Sequence, residues 1–276
     1  MSRAGALMRL CRPANGLITM LSVAVAARLT GPVGDWMPVL LAALAAFLIA
    51  GAANTLNDII DLPIDRVNRP DRPLPAGQLS LPTARVFSLV AYLGGIALSF
   101  AVSRPLGWMA TFFAGLTALY SLFLKKTALW GNLVVSLSTA AVFVFGGLAL
   151  GRPEKTLWPA IFAFFMHLAR EIIKDMEDVR GDALAGAQTL PIRFGMKSAA
   201  RFTIAALIIM MGLTLLPYLN GVYGRAYLTT LLVGVFPVLI FIAVTLGRQG
   251  ENADFSRLSN LLKVDMLVGL LAIFLG

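Results

Sequence analysis

Nine long apolar runs, separated by short polar connections, constrain this chain more than any other feature of its sequence. They lie at residues 14–31, 37–60, 83–102, 106–124, 130–150, 157–174, 198–219, 226–246 and 260–276. Each is close to the ~20 residues with which a helix crosses a bilayer. With 58% hydrophobic and only 13% charged residues, the chain cannot bury its apolar side chains in a soluble core. The sequence therefore predicts an all-α integral membrane protein, a single domain over residues 1–276, with about nine transmembrane helices.

The basic residues of the connections indicate the orientation in the cell membrane. Most of the 23 lysines and arginines fall in the N-terminal segment and in every second connection after it. Cytoplasmic loops have such an excess, so we expect the N-terminus and the connections 61–82 and 175–197 in the cytoplasm and the C-terminus outside. The net charge of +9 suits loops beside anionic lipid. The polar segments are too short for a nucleic-acid domain, no protein partner is evident, and the single cysteine, Cys11, excludes a disulfide framework.

The second apolar run ends in an acidic motif, Asn57-Asp58-x-x-Asp61-x-x-x-Asp65. On one continuous helix, Asp58 and Asp65 would point within about 20° of each other, with Asp61 about 60° away. Three carboxylates beside a low-dielectric membrane core need cations to neutralise them. Close-set hard oxygen ligands suit Mg²⁺, so the motif predicts a magnesium site.

Cations for an anionic ligand follow the acidic motif directly. Arg66 and Arg72 lie within the next few residues, and carboxylates next to arginines are the combination that a Mg²⁺-diphosphate requires. Pro63 interrupts the helical pattern. We therefore expect the regular helix to end near Asp61 and Asp65 to hang from its terminus.

The same acidic spacing recurs four apolar runs later, as Asp175-x-x-Asp178-x-x-x-Asp182, and both copies precede a Leu-Pro pair. Two such motifs at equivalent ends of equivalent helices indicate a duplicated unit. We expect two pseudo-repeated four-helix units related by an axis along the membrane normal. In such a bundle, both aspartate sets would face one central cavity at the cytoplasmic surface.

Charged residues also precede the second motif, where His167, Glu171, Lys174 and Asp175 recur at helical spacing on one face. One interpretation is that these charges neutralise one another inside the bundle, Glu171 with Lys174 or Arg170 with Lys174 and Asp175. The alternative is that they contact a ligand directly. His167, the deepest, is predicted to be a neutral core histidine. Lys125 closes the fourth run on the cytoplasmic side, where it serves as an orientation charge or meets the diphosphate.

These motifs resemble those of the UbiA-type intramembrane prenyltransferase superfamily, whose first signature is NDxxDxxxD followed by an Arg/Pro-rich loop. Residues 57–66 and 69–77 match that signature, residues 175–182 match the second, and the resemblance extends over essentially the whole chain. It implies an isoprenyl diphosphate bound through Mg²⁺ at both motifs, with its tail in the membrane. It implies catalytic, metal-binding roles for Asp61, Asp65, Asp178 and Asp182, and further metal ligands at Asp58 and Asp175.

The resemblance also implies that polar and basic residues bind the diphosphate. The residues to which we assign this role are Asn57, Arg66, Arg72, Lys125 and Lys174. A phosphate on the acceptor would need a further cation, and Arg12, beside Asn15 at the start of the first run, is the candidate. An orientation charge that reaches the interface is the alternative role for Arg12.

The acceptor is predicted from the segments 170–182 and 186–192, which look most like the branch that forms digeranylgeranylglyceryl phosphate. Those enzymes join a geranylgeranyl chain to geranylgeranylglyceryl phosphate, a lipophilic acceptor, through an ether bond. Similar second motifs leave open an aromatic acceptor of the 4-hydroxybenzoate, homogentisate or naphthoate type, or chlorophyllide. The alternative from another class is a divalent-cation transporter, since paired membrane carboxylates also bind ions. Acidic residues at helix ends, not at the midplane, oppose it.

Overall fold

The protein, a computed structural model that describes residues 3–184 and 186–276, is built from helices joined by short turns, with no strand in this part of the chain. Clustering of contacts divides it into two compact units. Unit 1 comprises Met1–Leu124 and Val142–Thr156. Its helices are α1 (Arg3–Cys11), α2 (Pro13–Leu29), α3 (Met37–Ile60), α4 (Leu62–Asn68), α5 (Leu81–Val102), α6 (Arg104–Leu119) and the second half of α7 (Trp130–Ala149).

Helix α3 forms the centre of unit 1, where it packs against α2, α5 and α6. Its core face is lined by small residues, and a Cβ on Gly95 of α5 would lie 2.9 Å from the carbonyl oxygen of Ala45. A larger residue at position 95 would push the two helices apart. Because lipid supplies no hydrophobic drive between membrane helices, such close backbone contact is what stabilises their association.

Unit 2 comprises Lys125–Ala141, which includes the first half of α7, and Leu157–Gly276. Helix α8 packs against α11 and α14, and the buried hydroxyl of Tyr227 donates to the carbonyl oxygen of Thr214 at 2.7 Å, which joins α12 to α11. The helices of this unit are α8 (Leu157–Glu177), α9 (Val179–Leu184), α10 (Leu190–Phe194), α11 (Met196–Leu219), α12 (Arg225–Thr230), α13 (Phe236–Gln249) and α14 (Phe255–Leu275).

The membrane-spanning helices agree with the prediction of about nine. Within the described residues, eight helices are long and apolar enough to cross a bilayer, and the bent pair Gly5–Cys11 and Pro13–Leu29 makes a ninth. The last span is longer than predicted, because α14 begins at Phe255 and not at residue 260. Asp254 caps it there by accepting a hydrogen bond from the backbone N–H of Arg257 at 2.9 Å.

The first predicted span, 14–31, corresponds to α2, but α1 is an additional helix that the sequence did not predict. The two helices meet at an angle of 55°. Arg12 lies at the bend with φ 52° and ψ 68°, the left-handed conformation, which costs about 1–3 kcal/mol for a residue other than glycine. Pro13 disfavours the right-handed helical conformation at Arg12, so a break at this residue is consistent with the local sequence.

Candidate active site

The two aspartate motifs have the same local backbone. In each, the first aspartate lies in the last turn of a membrane helix, the second at a break, and the third in the short helix that follows. The N–H of the second aspartate donates to the carbonyl four residues earlier, and the N–H of the third donates to the carbonyl of the second, at 2.8 or 2.9 Å in both motifs. The aspartates are Asp58, Asp61 and Asp65 in unit 1, and Asp175, Asp178 and Asp182 in unit 2.

The break in the first motif confirms the predicted helix end near Asp61, since α3 ends at Ile60. The prediction that Asp65 hangs from that terminus is wrong, because Asp65 lies inside α4. Pro63 lies in the first turn of α4, where a backbone N–H would have no carbonyl partner within the helix. The second motif breaks at the equivalent residue with Arg180 in place of this proline, so proline is not required for the break.

The first motif is neutralised by two arginines in this structure. Arg12 Nη2 donates to Asp58 Oδ1 at 2.5 Å, and Arg72 Nη1 contacts the same oxygen at 3.1 Å. Arg72 Nη1 also donates to Asp65 Oδ2 at 2.5 Å. Asp58 and Asp65 are buried, so these pairs provide the counter-charges that buried carboxylates need. Arg12 and Arg72 therefore hold two of the three motif aspartates close together.

Asn54, one helical turn before Asp58, supports the strained bend at Arg12. Its Oδ1 accepts a hydrogen bond from Arg12 Nη1 at 3.4 Å, and its Nδ2 donates to the carbonyl oxygen of Cys11 at 3.3 Å. The side chain and backbone around the bend are thus both attached to α3. These contacts offset the cost of the left-handed conformation.

The remaining predicted residues of unit 1 have different surroundings. Asn57 Nδ2 donates to Asp61 Oδ2 at 2.8 Å, which orients the carboxylate at the break. Arg66 and Asn15 are exposed. The structure therefore brings Asn57, Arg12 and Arg72 to the first motif by direct contact.

In the second motif, an amide orients the first aspartate. Asn132 Nδ2 on α7 donates to Asp175 Oδ2 at 2.8 Å, and Asn132 is buried. A second hydrogen bond in unit 2 runs from the backbone N–H of Gln188 to the carbonyl oxygen of Lys126 at 2.8 Å. The segment that begins with Lys125 is thereby attached to the loop that follows Asp182.

The other two aspartates of the second motif are close enough to influence each other. Burial, and then the neighbouring Asp178 carboxylate, raise the pKa of Asp182, which lies beyond the end of the membrane helix. A raised carboxylate pKa indicates that the ionised form has too little compensating positive charge. Hard oxygen donors in such surroundings fit a divalent cation such as Mg²⁺.

Charged residues before the second motif form pairs with one another, while their direct contact with a ligand stays a prediction. Glu171 accepts a hydrogen bond from Arg170 Nη1 at 3.0 Å, and its other oxygen lies 3.7 Å from Lys174 Nζ. Lys174 is 42% exposed. One carboxylate is therefore shared by two cations.

The carboxylates of each motif do not form a ready-made metal cage. Within residues 3–184 and 186–276, no three carboxylate, histidine or cysteine side chains are placed so that they could hold a metal ion together. A metal at either motif would need further oxygen ligands. Mg²⁺ commonly takes such ligands from substrate phosphates and water.

The sequence interpretation missed two residues of this site: Asn54 and Asn132. The two asparagines lie inside apolar runs, and a polar side chain within a membrane helix is a signal for a functional contact. That signal could have identified both positions. It could not have identified their partners, which are distant in sequence.

Taken together, the fold and the site define a multi-pass helical membrane protein with two matched aspartate motifs, each accompanied by cations. Comparison with known proteins gives the family. Residues 17–263 match the UbiA prenyltransferase family. This chain belongs to that family, and it is a membrane prenyltransferase. The prediction of an enzyme is thereby confirmed over the predicted alternative of a cation transporter.

One sequence relative and two solved structures illustrate the similarity. Digeranylgeranylglyceryl phosphate synthase of Methanopyrus kandleri is 39% identical over 267 residues, which cover 97% of both chains. A solved structure from work on the biosynthesis of digeranylgeranylglyceryl phosphate synthase in membranes is 28% identical, with a TM-score of 0.86 over 100% of this chain and 99% of the other. A UbiA homolog from Archaeoglobus fulgidus bound to GPP and Mg²⁺ shares the fold, at 17% identity and a TM-score of 0.70 over 97% and 99% of the chains.

Proposed function

We propose that this prenyltransferase joins the geranylgeranyl group of a prenyl diphosphate to geranylgeranylglyceryl phosphate in ether-lipid synthesis. The allylic carbon–oxygen bond of the donor breaks and the hydroxyl oxygen of the acceptor forms the ether bond, with release of diphosphate and a proton. The observation that carries this proposal is the full-length similarity to the Methanopyrus kandleri digeranylgeranylglyceryl phosphate synthase. The segment 170–182, with its basic and acidic residues before the second motif, supports the same branch.

We assign Mg²⁺ to the two aspartate motifs. Asp61, Asp65, Asp178 and Asp182 would be the principal ligands, with Asp58 and Asp175 beside them. When bound, Mg²⁺ supplies positive charge that stabilises the departing diphosphate. The proximity of Asp178 and Asp182 and the hard donor set support this assignment, as does the Mg²⁺ bound to the Archaeoglobus fulgidus homolog.

Side chains of this chain would bind and orient the donor. Arg72 now binds Asp58 and Asp65, and it becomes available to the phosphate oxygens of the donor when those carboxylates bind a cation instead. Arg12, which now binds Asp58, keeps its predicted role toward a phosphate of the acceptor. Arginine suits this role because its planar fork matches phosphate geometry. The remaining assigned contacts to the diphosphate are Asn57, Arg66, Lys125 and Lys174.

The membrane helices provide the other requirement, which is exclusion of water from the reacting carbon. An allylic carbocation reacts with any water that reaches it, so an apolar surrounding protects the intermediate. The acceptor hydroxyl then attacks without a strong protein nucleophile. The absence of a nucleophile–histidine–carboxylate triad from the sequence agrees with this chemistry.

We also propose that both motifs lie at the cytoplasmic face, and labelling tests this orientation. Arg193 and Arg225 are exposed and fall in connections that the cation pattern predicts on opposite sides. In a Cys11→Ser background, an impermeant maleimide should label Arg193→Cys only from the cytoplasmic face and Arg225→Cys only from outside. Cys11 is buried and should react little with the maleimide, and the Cys11→Ser change removes its labelling altogether. The reverse pattern would invert the proposed topology.

The proposed reaction is tested with a panel of acceptors. Purified protein in lipid is incubated with Mg²⁺, labelled geranylgeranyl diphosphate and one acceptor: geranylgeranylglyceryl phosphate, 4-hydroxybenzoate, homogentisate, a dihydroxynaphthoate or chlorophyllide. We expect labelled ether lipid with the glycerol phosphate alone. Product with an aromatic acceptor and none with the glycerol phosphate would replace this function by quinone or pigment synthesis.

A further inference from the structure

Helix α8 places its charged residues on one side and its core residues on the other. At 100° per residue, the charged and polar side chains from His167 to Asp175 fall within an arc of roughly 140°. The buried side chains of the same stretch fall on the remaining arc; they are Met166, Ala169, Ile172, Ile173 and Met176. The charged side of a membrane helix faces protein or a polar ligand, because lipid cannot solvate it.

Arg170 has an unused donor on this charged side. Its Nη1 binds Glu171, but its Nε is buried and has no hydrogen-bond partner among the described residues. The side chain as a whole is 21% exposed. A buried guanidinium N–H without an acceptor is unfavourable, so the arrangement is suited to an acceptor atom that a ligand brings.

The pairing of Arg170 also favours an anionic ligand. Its carboxylate partner, Glu171, is shared with Lys174, so one carboxylate serves two cations. A phosphate monoester has the opposite charge and several acceptor oxygens for an arginine.

The position of Arg170 separates it from the donor diphosphate. Arg170 precedes Asp175 by five residues, so it lies roughly 7.5 Å further from the motif along the helix, toward the apolar middle of α8. The reacting carbon of the donor also lies on the apolar side of its diphosphate. An attacking hydroxyl must come within about 3–3.5 Å of that carbon, and the phosphate of a glycerol phosphate is only a few bonds from its hydroxyl.

We propose that Arg170 binds the phosphate of the acceptor lipid. This inference rests on the proposed function, in which the acceptor is geranylgeranylglyceryl phosphate. Glu171 then holds the guanidinium in position and provides its counter-charge when the acceptor is absent. The assignment makes Arg170 a specificity residue, because a neutral acceptor would leave its Nε unpaired.

The test compares the two substrates in Arg170→Gln. Loss of a charge-assisted contact should raise the KM for geranylgeranylglyceryl phosphate by about ten- to a hundredfold, while the KM for the prenyl diphosphate stays near that of the wild type. Arg201→Gln is the matched control, since Arg201 is an exposed arginine on α11 of the same unit. It should change neither KM. Glu171→Gln should lower the KM for the acceptor, because it releases Arg170 and Lys174 from their shared carboxylate.

A binding measurement separates this role from a structural one. Without donor, geranylgeranylglyceryl phosphate should raise the melting temperature of the wild type but not that of Arg170→Gln. Stabilisation by Mg²⁺ and prenyl diphosphate should be retained in the variant, which shows that it is folded. Equal changes in both KM values, or a change in the donor KM alone, would overturn the inference. A wild type that does not use the glycerol phosphate would instead overturn the proposed function.

Discussion

Asp178→Ala should lower prenyl transfer by at least about a hundred- to a thousandfold, the effect of removing a group that stabilises developing charge. The equivalent change in the first motif, Asp61→Ala, should have a similar effect. Each residue lies at the break between a membrane helix and a short helix, and each is the middle aspartate of its motif. Initial rates with saturating donor and acceptor measure the loss.

The control for this experiment is Glu177→Ala. Glu177 is exposed, has the same charge, and is the last residue of α8, directly before Asp178. Its removal should leave activity near that of the wild type. Circular dichroism and thermal melts should show all three variants folded, because Asp178 and Glu177 are exposed and Asp61 is only partly buried. Full activity in Asp178→Ala, or an equal loss in Glu177→Ala, would remove the metal-binding role.

The membrane helices could be predicted from the sequence because their cause is local. A run of about 20 apolar residues has few alternatives to a membrane helix. The helices that follow those runs are α3, α5, α6, α7, α8, α11, α12 with α13, and α14. The bend between α1 and α2 has a different cause. Arg12 adopts its left-handed conformation with support from Asp58, 46 residues away, and a contact at that distance leaves no periodic signal in the sequence.

The site divides in the same way. The six aspartates could be predicted from their repeated spacing, and the structure gives both motifs one backbone geometry. Their partners could not be predicted. Asp58 is bound by two arginines and Asp175 by Asn132, which is 43 residues earlier. The repeat therefore preserves the backbone of the motif while the groups that neutralise or orient its first aspartate differ between the copies.

Removal of divalent cations should abolish turnover, and Mg²⁺ should restore it. Asp58 and Asp65 are bound to arginines, and the described residues include no three side chains arranged as a metal cage. Displacing an arginine from a buried carboxylate is costly unless the arginine gains another anion. The diphosphate is that anion, and it also supplies oxygen ligands to the metal. Metal and diphosphate should therefore bind together.

Thermal melts of EDTA-treated protein measure this coupling. Mg²⁺ alone and prenyl diphosphate alone should each stabilise the protein only slightly. With Mg²⁺ saturating, prenyl diphosphate at about a hundredfold its dissociation constant should raise the free energy of unfolding by about 2.7 kcal/mol. Arg72→Gln provides a second test. Because Asp58 and Asp65 are less well neutralised in this variant, Mg²⁺ alone should bind more tightly. The additional stabilisation by prenyl diphosphate should be smaller than in the wild type. Strong stabilisation of the wild type by Mg²⁺ alone would show that the aspartates form a metal site without the substrate, and turnover that survives chelation would exclude the metal from the reaction.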